Sequence, residues 1–344
     1  MVATLLERNS SGLYCAAGDF YVDPWEPVER AVITHAHADH LRPGSRQYLT
    51  ARSGLTLVQT RAGSEARVEG VEYGAPVDLN GVRVSFHPAG HILGSSQVRI
   101  EHRGEVWAVS GDYKLASDPT CAPFEPVRCH TFVTESTFGL PIFRWQDTGI
   151  ALGEINAWWR GNQEAGKASV LFAYPLGKAQ RVLAGIDSAI GSIYTHGAVE
   201  TFNRIYRDAG VALAATSYAR SAPMRTDWSR ALIIAPPLSK TNPWLRRFGD
   251  FSTAMASGWM RIRGTRRRGS IDRGIVLSDH ADWPALLSTI RDSGAERVWV
   301  THGYRTALAQ WLSENGLDAH TIETQFEGER DEVVEDVTAP EAEP

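Results

Sequence analysis

The feature that most constrains this chain is a six-residue run, His35-Ala-His37-Ala-Asp39-His40, set directly after the apolar stretch Ala31–Thr34. Four residues able to ligate a metal fall within it. In a short extended turn, His35 and His37 can face one ion from one side, and Asp39 and His40 can then face a second ion nearby. Imidazole with carboxylate is the ligand set of zinc, manganese or iron, and the lack of a nearby thiolate disfavours a structural zinc.

The same punctuation recurs along the chain. WAVSG runs into Asp112, FVT into Glu135, IVLSD into His280 and WVT into His302. Rigid sheets present chemistry at strand ends, so five such junctions point to one shared rim. Glycines in Pro88-Ala89-Gly90-His91-Ile92-Leu93-Gly94 allow close backbone approach around His91. Gly111 ends a strand and presents Asp112, a carboxylate able to bridge two ions.

β-branched and alternating apolar residues predict strands over Ala31–Thr34, Val82–Phe86, Gln97–Glu101, Val106–Ser110, Thr131–Thr134, Ser169–Ala173, Leu232–Ala235, Gly274–Leu277 and Val298–Thr301. Helices are predicted over Gly149–Arg160, Ala179–Ser188, Ala198–Asp208, Pro284–Asp292 and Arg305–Asn315. Pro284 suits a first helical turn, and Gly294 and Gly316 sit where helices stop. The mixture implies an α/β or α+β architecture with helix-covered sheets.

Net charge is −5, but its distribution carries the information. Residues 323–344 hold nine acids and one arginine, so the rest of the chain is net +3. Residues 141–277 hold 19 Lys/Arg and 9 Asp/Glu, a net of +10. A basic middle suits a phosphodiester backbone. The tail 327–344, charged and poor in large apolar residues, is expected to be disordered. No apolar run approaches the ~18 residues of a membrane span. The opening MVATLLERNS lacks a secretory apolar core. Cys15, Cys121 and Cys129 show no CxxC spacing. Reduced thiols and a cytoplasmic location are the expectation.

HxHxDH, a Gly-His segment, an Asp and a late His resemble the metallo-β-lactamase fold. Thr134-Glu135-Ser136-Thr137, Ser278-Asp279-His280 and Thr301-His302-Gly303 resemble motifs A, B and C of its β-CASP nucleases. GDFYVDPW, PAGHILGSSQ, SGDYK, YPLGKAQR, SGWM and LSDHAD add a similarity to the bacterial ligase-associated DNA exonucleases, over about residues 11 to 320. The fold this implies is an α/β αββα sandwich (1–140 and 278–326) with an inserted α/β β-CASP cap domain (141–277).

The resemblance implies two divalent ions, zinc expected and manganese an option. His35, His37 and His91 would hold one, Asp39, His40 and His302 the other. Asp112 would bridge them, and Asp23 would orient the ligands from behind. Catalysis would rest on Asp39, Asp112, Glu135 and His280. His280 would protonate the departing sugar oxygen or stabilise phosphate charge, with Glu135 holding its ring. Metal ligation is the other reading for His280. Asp279 and Asp282 read as a solvated turn and a helix cap. Nucleic-acid contacts would come from Ser136, Thr137, Lys178, Ser257, Gly258, Trp259, Arg261, Arg263, Arg266, Arg267 and Arg268. The implied activity is 5′-to-3′ exonuclease action on single-stranded DNA in end processing or repair. A 5′-phosphorylated end and a partner ligase or helicase accompany that expectation. A histidine at motif C is also the pattern of RNA-processing members, so a ribonuclease is the alternative. A small-molecule metallo-hydrolase would share HxHxDH but lack the basic insert and the Glu135/His280 pair.

Overall fold

Short apolar strands from the first 135 residues, joined by two near the end of the chain, build two sheets. The structure, a computed structural model, describes residues 4–239, 242–262 and 271–324. Its described residues up to 144 and from 280 onward form one compact unit, and Trp145–Asp279 form a second. Arg263, Arg266, Arg267, Arg268 and the tail 327–344 lie outside the described residues.

With strands numbered along the chain, the first sheet of the first unit runs β1 (Glu7–Asn9), β2 (Gly12–Cys15), β3 (Phe20–Val22), β4 (Arg30–Val32), β5 (Gln47–Ala51) and β6 (Val68–Val71) in spatial order. Its first two junctions are antiparallel and the rest parallel. The second sheet has β7 (Val77–Leu79), β8 (Val82–Pro88), β9 (Ser96–His102), β10 (Glu105–Val109), β11 (Thr131–Glu135), β18 (Arg297–Thr301) and β19 (Asp318–Thr321). Its order is β19-β18-β11-β10-β9-β8-β7, parallel on the β19 side and antiparallel from β10 to β7.

Side chains alternate between sheet faces. Val84, Val98, Ile100, Trp107 and Val109 meet Phe20, Val22, Val32 and Leu49 of the first sheet in one core. Each such aliphatic side chain contributes roughly 1.5–3 kcal/mol on burial. Ala108, Phe132, Val298 and Val300 face the other way. They receive Leu286 and Ile290 of one helix (Trp283–Ser293) and Leu308 and Leu312 of another (Arg305–Glu314). Asp282 caps the first of these by accepting from Ala285 N at 3.1 Å, and Gly294 ends it in the left-handed conformation, as the sequence predicts. The helix Leu55–Ala62 packs on β5 and β6.

The second unit is a parallel sheet in the order β14 (Ser217–Tyr218), β13 (Ile193–Thr195), β15 (Leu232–Ala235), β12 (Ala168–Phe172), β16 (Phe251–Ala256), β17 (Arg273–Ile275). β12 and β15 are apolar nearly throughout because both faces are covered. Leu171, Leu232 and Ile234 meet the helices Thr148–Glu164 and Lys178–Gly185. Val170, Phe172 and Ile233 meet Trp244, Leu245 and Phe248 on the opposite side. The whole is a mixed α/β architecture. Among the described residues, no helix is long and apolar enough to cross a membrane.

Candidate metal centre

The ligand-type residues of the first unit converge at one edge of its two sheets. β4 leads into His35, β8 into the loop bearing His91, β10 into Asp112, β11 ends on Glu135 and β18 precedes His302. Each strand is locked by ladders on both sides, so each exit is fixed by the sheet and not by the loop.

Groups of possible ligands form there, two of them built from the ligands expected from the sequence, and Asp112, Glu135 and His280 form another. His35, His37, His91 and Asp112 each offer an atom within 4.8 Å of the others, and so do Asp39, His40 and His302. His35 Nε2 lies 3.1 Å from His37 Nδ1, and His91 Nε2 lies 3.0 Å from the same atom. Asp112 Oδ2 stands 3.5 Å from His35 Nε2, 3.8 Å from His91 Nε2 and 3.5 Å from His40 Nε2, so one carboxylate oxygen faces both groups. His40 Nε2 also lies 3.8 Å from Asp39 Oδ2. The geometry thus brings together every ligand named from the sequence.

The donors fit a divalent cation on three counts. Bonds of ~2.0–2.1 Å to tetrahedral zinc put ligand nitrogens about 3.3 Å apart, close to the spacing of the three imidazoles. His40 Nε2 is buried and has no hydrogen-bond partner, a high cost unless a cation meets its lone pair. Imidazole and carboxylate without thiolate suit a borderline metal.

Electrostatics agree. Burial, with the nearby His40, keeps the His35 ring neutral by lowering its pKa well below the ordinary histidine value. Burial opposes charge on His40 as well, but Asp112 and Asp39 outweigh it and hold its pKa well above the usual range. Burial likewise opposes ionisation of Asp112, and His40 and His280 overcome it, leaving the carboxyl well below its usual pKa.

Behind the ligands, Asp23 adopts a left-handed backbone conformation (φ 45°). It accepts from Thr34 N at 2.8 Å, Thr34 Oγ1 at 2.6 Å and His40 Nδ1 at 2.7 Å. His302 is also left-handed (φ 50°), a costly state for a non-glycine residue that packing must enforce. Gly303 supplies that packing. A Cβ on it would lie 2.3 Å from Ser136 O, so only glycine lets the β18 exit approach the β11 exit this closely.

Beside the ligands, His280 Nδ1 lies 2.9 Å from Glu135 Oε2 and 3.9 Å from Asp112 Oδ2. The other Glu135 oxygen accepts from Tyr113 N at 2.8 Å. Burial pushes the Glu135 carboxyl upward, and Asp112 adds to that push. Tyr113, which sequence reasoning passed over, also accepts from Ala281 N at 2.6 Å. Its backbone therefore ties the Asp112 exit to the His280 loop. Its place next to Asp112 is the only signal the sequence offers.

Several of the residues expected from the sequence to contact nucleic acid are buried. Ser136 and Thr137 are fully buried. Ser136 Oγ donates to Thr301 O at 3.1 Å and to His302 O, pinning two strand exits together. In the second unit, the Lys178 ammonium is completely buried and paired with Asp279, so it is not presented to a phosphate. Asp279 is consequently no solvated turn residue. Ser257 and Gly258 are buried, with Ser257 Oγ accepting from Trp259 N at 3.3 Å. Trp259 is 6% exposed, which leaves no ring face for a base. Arg261 is exposed.

No protein-family model matches the chain. It is 30% identical over 318 residues to a probable DNA ligase of Opitutus terrae, covering 92% of this chain and 31% of the ligase. It is 33% identical over 92 residues to endoribonuclease YSH1 of Saccharomyces cerevisiae, covering 26% of this chain and 12% of that one. It is 32% identical over 78 residues to cleavage and polyadenylation specificity factor subunit 3 of Dictyostelium discoideum, covering 22% and 10%. The chain thus spans less than a third of the length of each of these relatives. Among solved structures, a protein of unknown function from Enterococcus faecalis matches with a TM-score of 0.55 at 12% identity, over 87% of this chain and 80% of that one, a likeness of fold. These sequence likenesses, to a probable DNA ligase and to endoribonucleases, accompany clustered His and Asp side chains able to hold a metal ion.

Proposed function

We propose that this protein is a two-metal phosphodiesterase that acts as a DNA exonuclease, 5′-to-3′ on single strands, in DNA end processing. The observation that carries the reading is the shared carboxylate. Asp112 Oδ2 faces both ligand groups, next to a buried Glu135–His280 pair. His35, His37 and His91 would hold one ion, and Asp39, His40 and His302 the other, zinc or manganese. Bound divalent ions supply Lewis acidity to a phosphoryl group and lower the pKa of a water.

The remaining work falls to the chain. Glu135 accepts from His280 Nδ1, which fixes the ring and favours its doubly protonated form, and Nε2–H of that imidazolium would then give its proton to the departing sugar oxygen and leave a neutral ring. Tyr113 N holds the second Glu135 oxygen, so the carboxylate cannot rotate away. Asp23 fixes His40 in the same manner. The basic region 141–277 would bind the phosphodiester backbone as an inserted domain.

A ribonuclease is the second reading. The relatives named endoribonucleases and the placement of His302 beside Asp39 and His40 favour it. The test is a gel assay on length-matched single-stranded DNA, duplex DNA and RNA labelled at either end, with zinc or manganese supplied and Asp112→Asn as control. Mononucleotides released from 5′-phosphorylated DNA are the expected result. Equal or faster RNA cleavage would overturn the DNA assignment, and cleavage retained in the control would overturn the centre itself.

A further inference from the structure

Behind the two ligand groups lies one hydroxyl whose hydrogen bonds can run in only one direction. Thr34 is fully buried at the exit of β4, immediately before His35. Its N–H and its Oγ1 reach the two oxygens of Asp23, at 2.8 and 2.6 Å. A carboxylate accepts, so the hydroxyl gives its single proton to Asp23. Oγ1 is then left only to accept, and its neighbour is His35 Nδ1 at 3.0 Å.

His35 must therefore carry its proton on Nδ1. The lone pair of Nε2 is turned toward His37 and Asp112. The Asp23 oxygen that takes the Thr34 proton also accepts from His40 Nδ1, at 2.7 Å, which frees His40 Nε2 on the other group. The proton order is His35 Nδ1–H to Thr34, Thr34 O–H to Asp23, and His40 Nδ1–H to Asp23. One hydroxyl and one carboxylate set the tautomer of a ligand in each group.

Thr34 is itself held from two sides. Its carbonyl accepts from Ser96 N at 2.9 Å and Ser96 Oγ at 3.0 Å. Gly111, at φ 56°, packs on its side chain, and a Cβ there would lie 2.7 Å from Thr34 Cβ and Oγ1. The residue before the shared carboxylate is thus keyed to the same hydroxyl.

We propose that Thr34 is a positioning residue that couples the two ion sites, holding His35 directly and His40 through Asp23 in metal-accepting tautomers. This rests on the reading that both groups bind divalent ions. The test titrates ion-free full chain with zinc against a chromophoric chelator, for the wild type, Thr34→Val and Thr34→Ser. Ring-nitrogen NMR of His35 and His40 in the ion-free wild type accompanies it. Thr34→Val keeps the shape and should weaken ion binding by about 10–100-fold. Thr34→Ser keeps the hydroxyl and should stay near the wild type. The NMR spectrum should show the proton on Nδ1 of both rings. A folded Thr34→Val that binds zinc as tightly as the wild type would overturn the proposal. So would an unprotonated His35 Nδ1, a result available even if Thr34→Val does not fold. A wild type that binds no zinc overturns the ion-site reading instead, and the spectrum still decides the tautomer.

Discussion

His280 and Asp112 lie within 4 Å of each other yet are asked to do different things, and substitution separates them. Because Glu135 occupies Nδ1 of His280, replacing the ring leaves the three imidazoles around Asp112 intact. His280→Ala should therefore retain the wild-type metal content while activity falls by about 10²–10⁴-fold, the usual worth of a positioned acid. Metal analysis checks this, and one missing ion would make His280 a ligand. Asp112→Asn removes the carboxylate oxygen that faces both groups. It should abolish cleavage and also lower metal content, since a neutral amide no longer offsets the ion charge. The candidate ligands were legible because His35, Asp112 and His302 follow apolar strands and His37, Asp39 and His40 lie within five residues of the first, so spacing along the chain reports proximity in space. Thr34 was not, because its role depends on Asp23, and a threonine in an apolar strand gives no sign of such a partner. The burial of Lys178 was not legible for a related reason. Its partner Asp279 lies 101 positions away, and nothing local in YPLGK shows that the ammonium is buried.

At the scale of elements, the helix Gly197–Asp208 shows how one acid can organise its surroundings. Glu200 in its first turn accepts from Thr195 at the end of β13, from Asn203, from Arg207 and from Thr216. Burial raises its pKa, but these donors outweigh burial and hold it below the ordinary carboxylate range. A depressed folded-state pKa contributes stability above the unfolded pKa, and that contribution is lost as pH falls through the folded value. Thermal melts from about pH 7 down to about pH 3 should show Glu200→Gln less stable by roughly 1–2 kcal/mol at neutral pH. The gap should close on acidification, and a constant gap would mean the loss is one of packing alone. A simpler element-level test is Asp282→Ala, which removes a helix cap and should cost about 1 kcal/mol without altering metal content. The elements that escaped sequence reading escaped for physical reasons. β16, FSTAMA, has a single β-branched residue and is a strand because β12 and β17 pair with both its edges. The helix Leu55–Ala62 is weakened by Thr56, Val58 and Thr60, and burial of Leu57 and Val58 supports it.

For the whole molecule, net charge and charge distribution point in opposite directions, and the proposed function rests on the second. A chain of net −5 should repel a nucleic acid, yet the region 141–277 is net +10. Exposed arginines in it include Arg204, Arg225, Arg246 and Arg261, whereas the buried Lys178 is already paired with Asp279. On the proposed function, binding would fall to long, solvated side chains that pair with phosphates and release counterions. The consequence is measurable. With the cleavage-deficient Asp112→Asn chain, affinity for single-stranded DNA should fall steeply with salt. The log–log slope should be about −0.7 per phosphate neutralised. Arg225→Ala combined with Arg246→Ala should weaken binding and make the slope shallower by about 0.7 for each arginine–phosphate pair removed. Fluorescence anisotropy at several salt concentrations checks both. A steep slope that these two substitutions leave unchanged would move the phosphate path to other cations of the region. A slope near zero would remove the electrostatic basis for a nucleic-acid substrate. The ligand groups would then be open to a small-molecule ester or amide, since the Lewis acidity they provide is not specific to phosphorus.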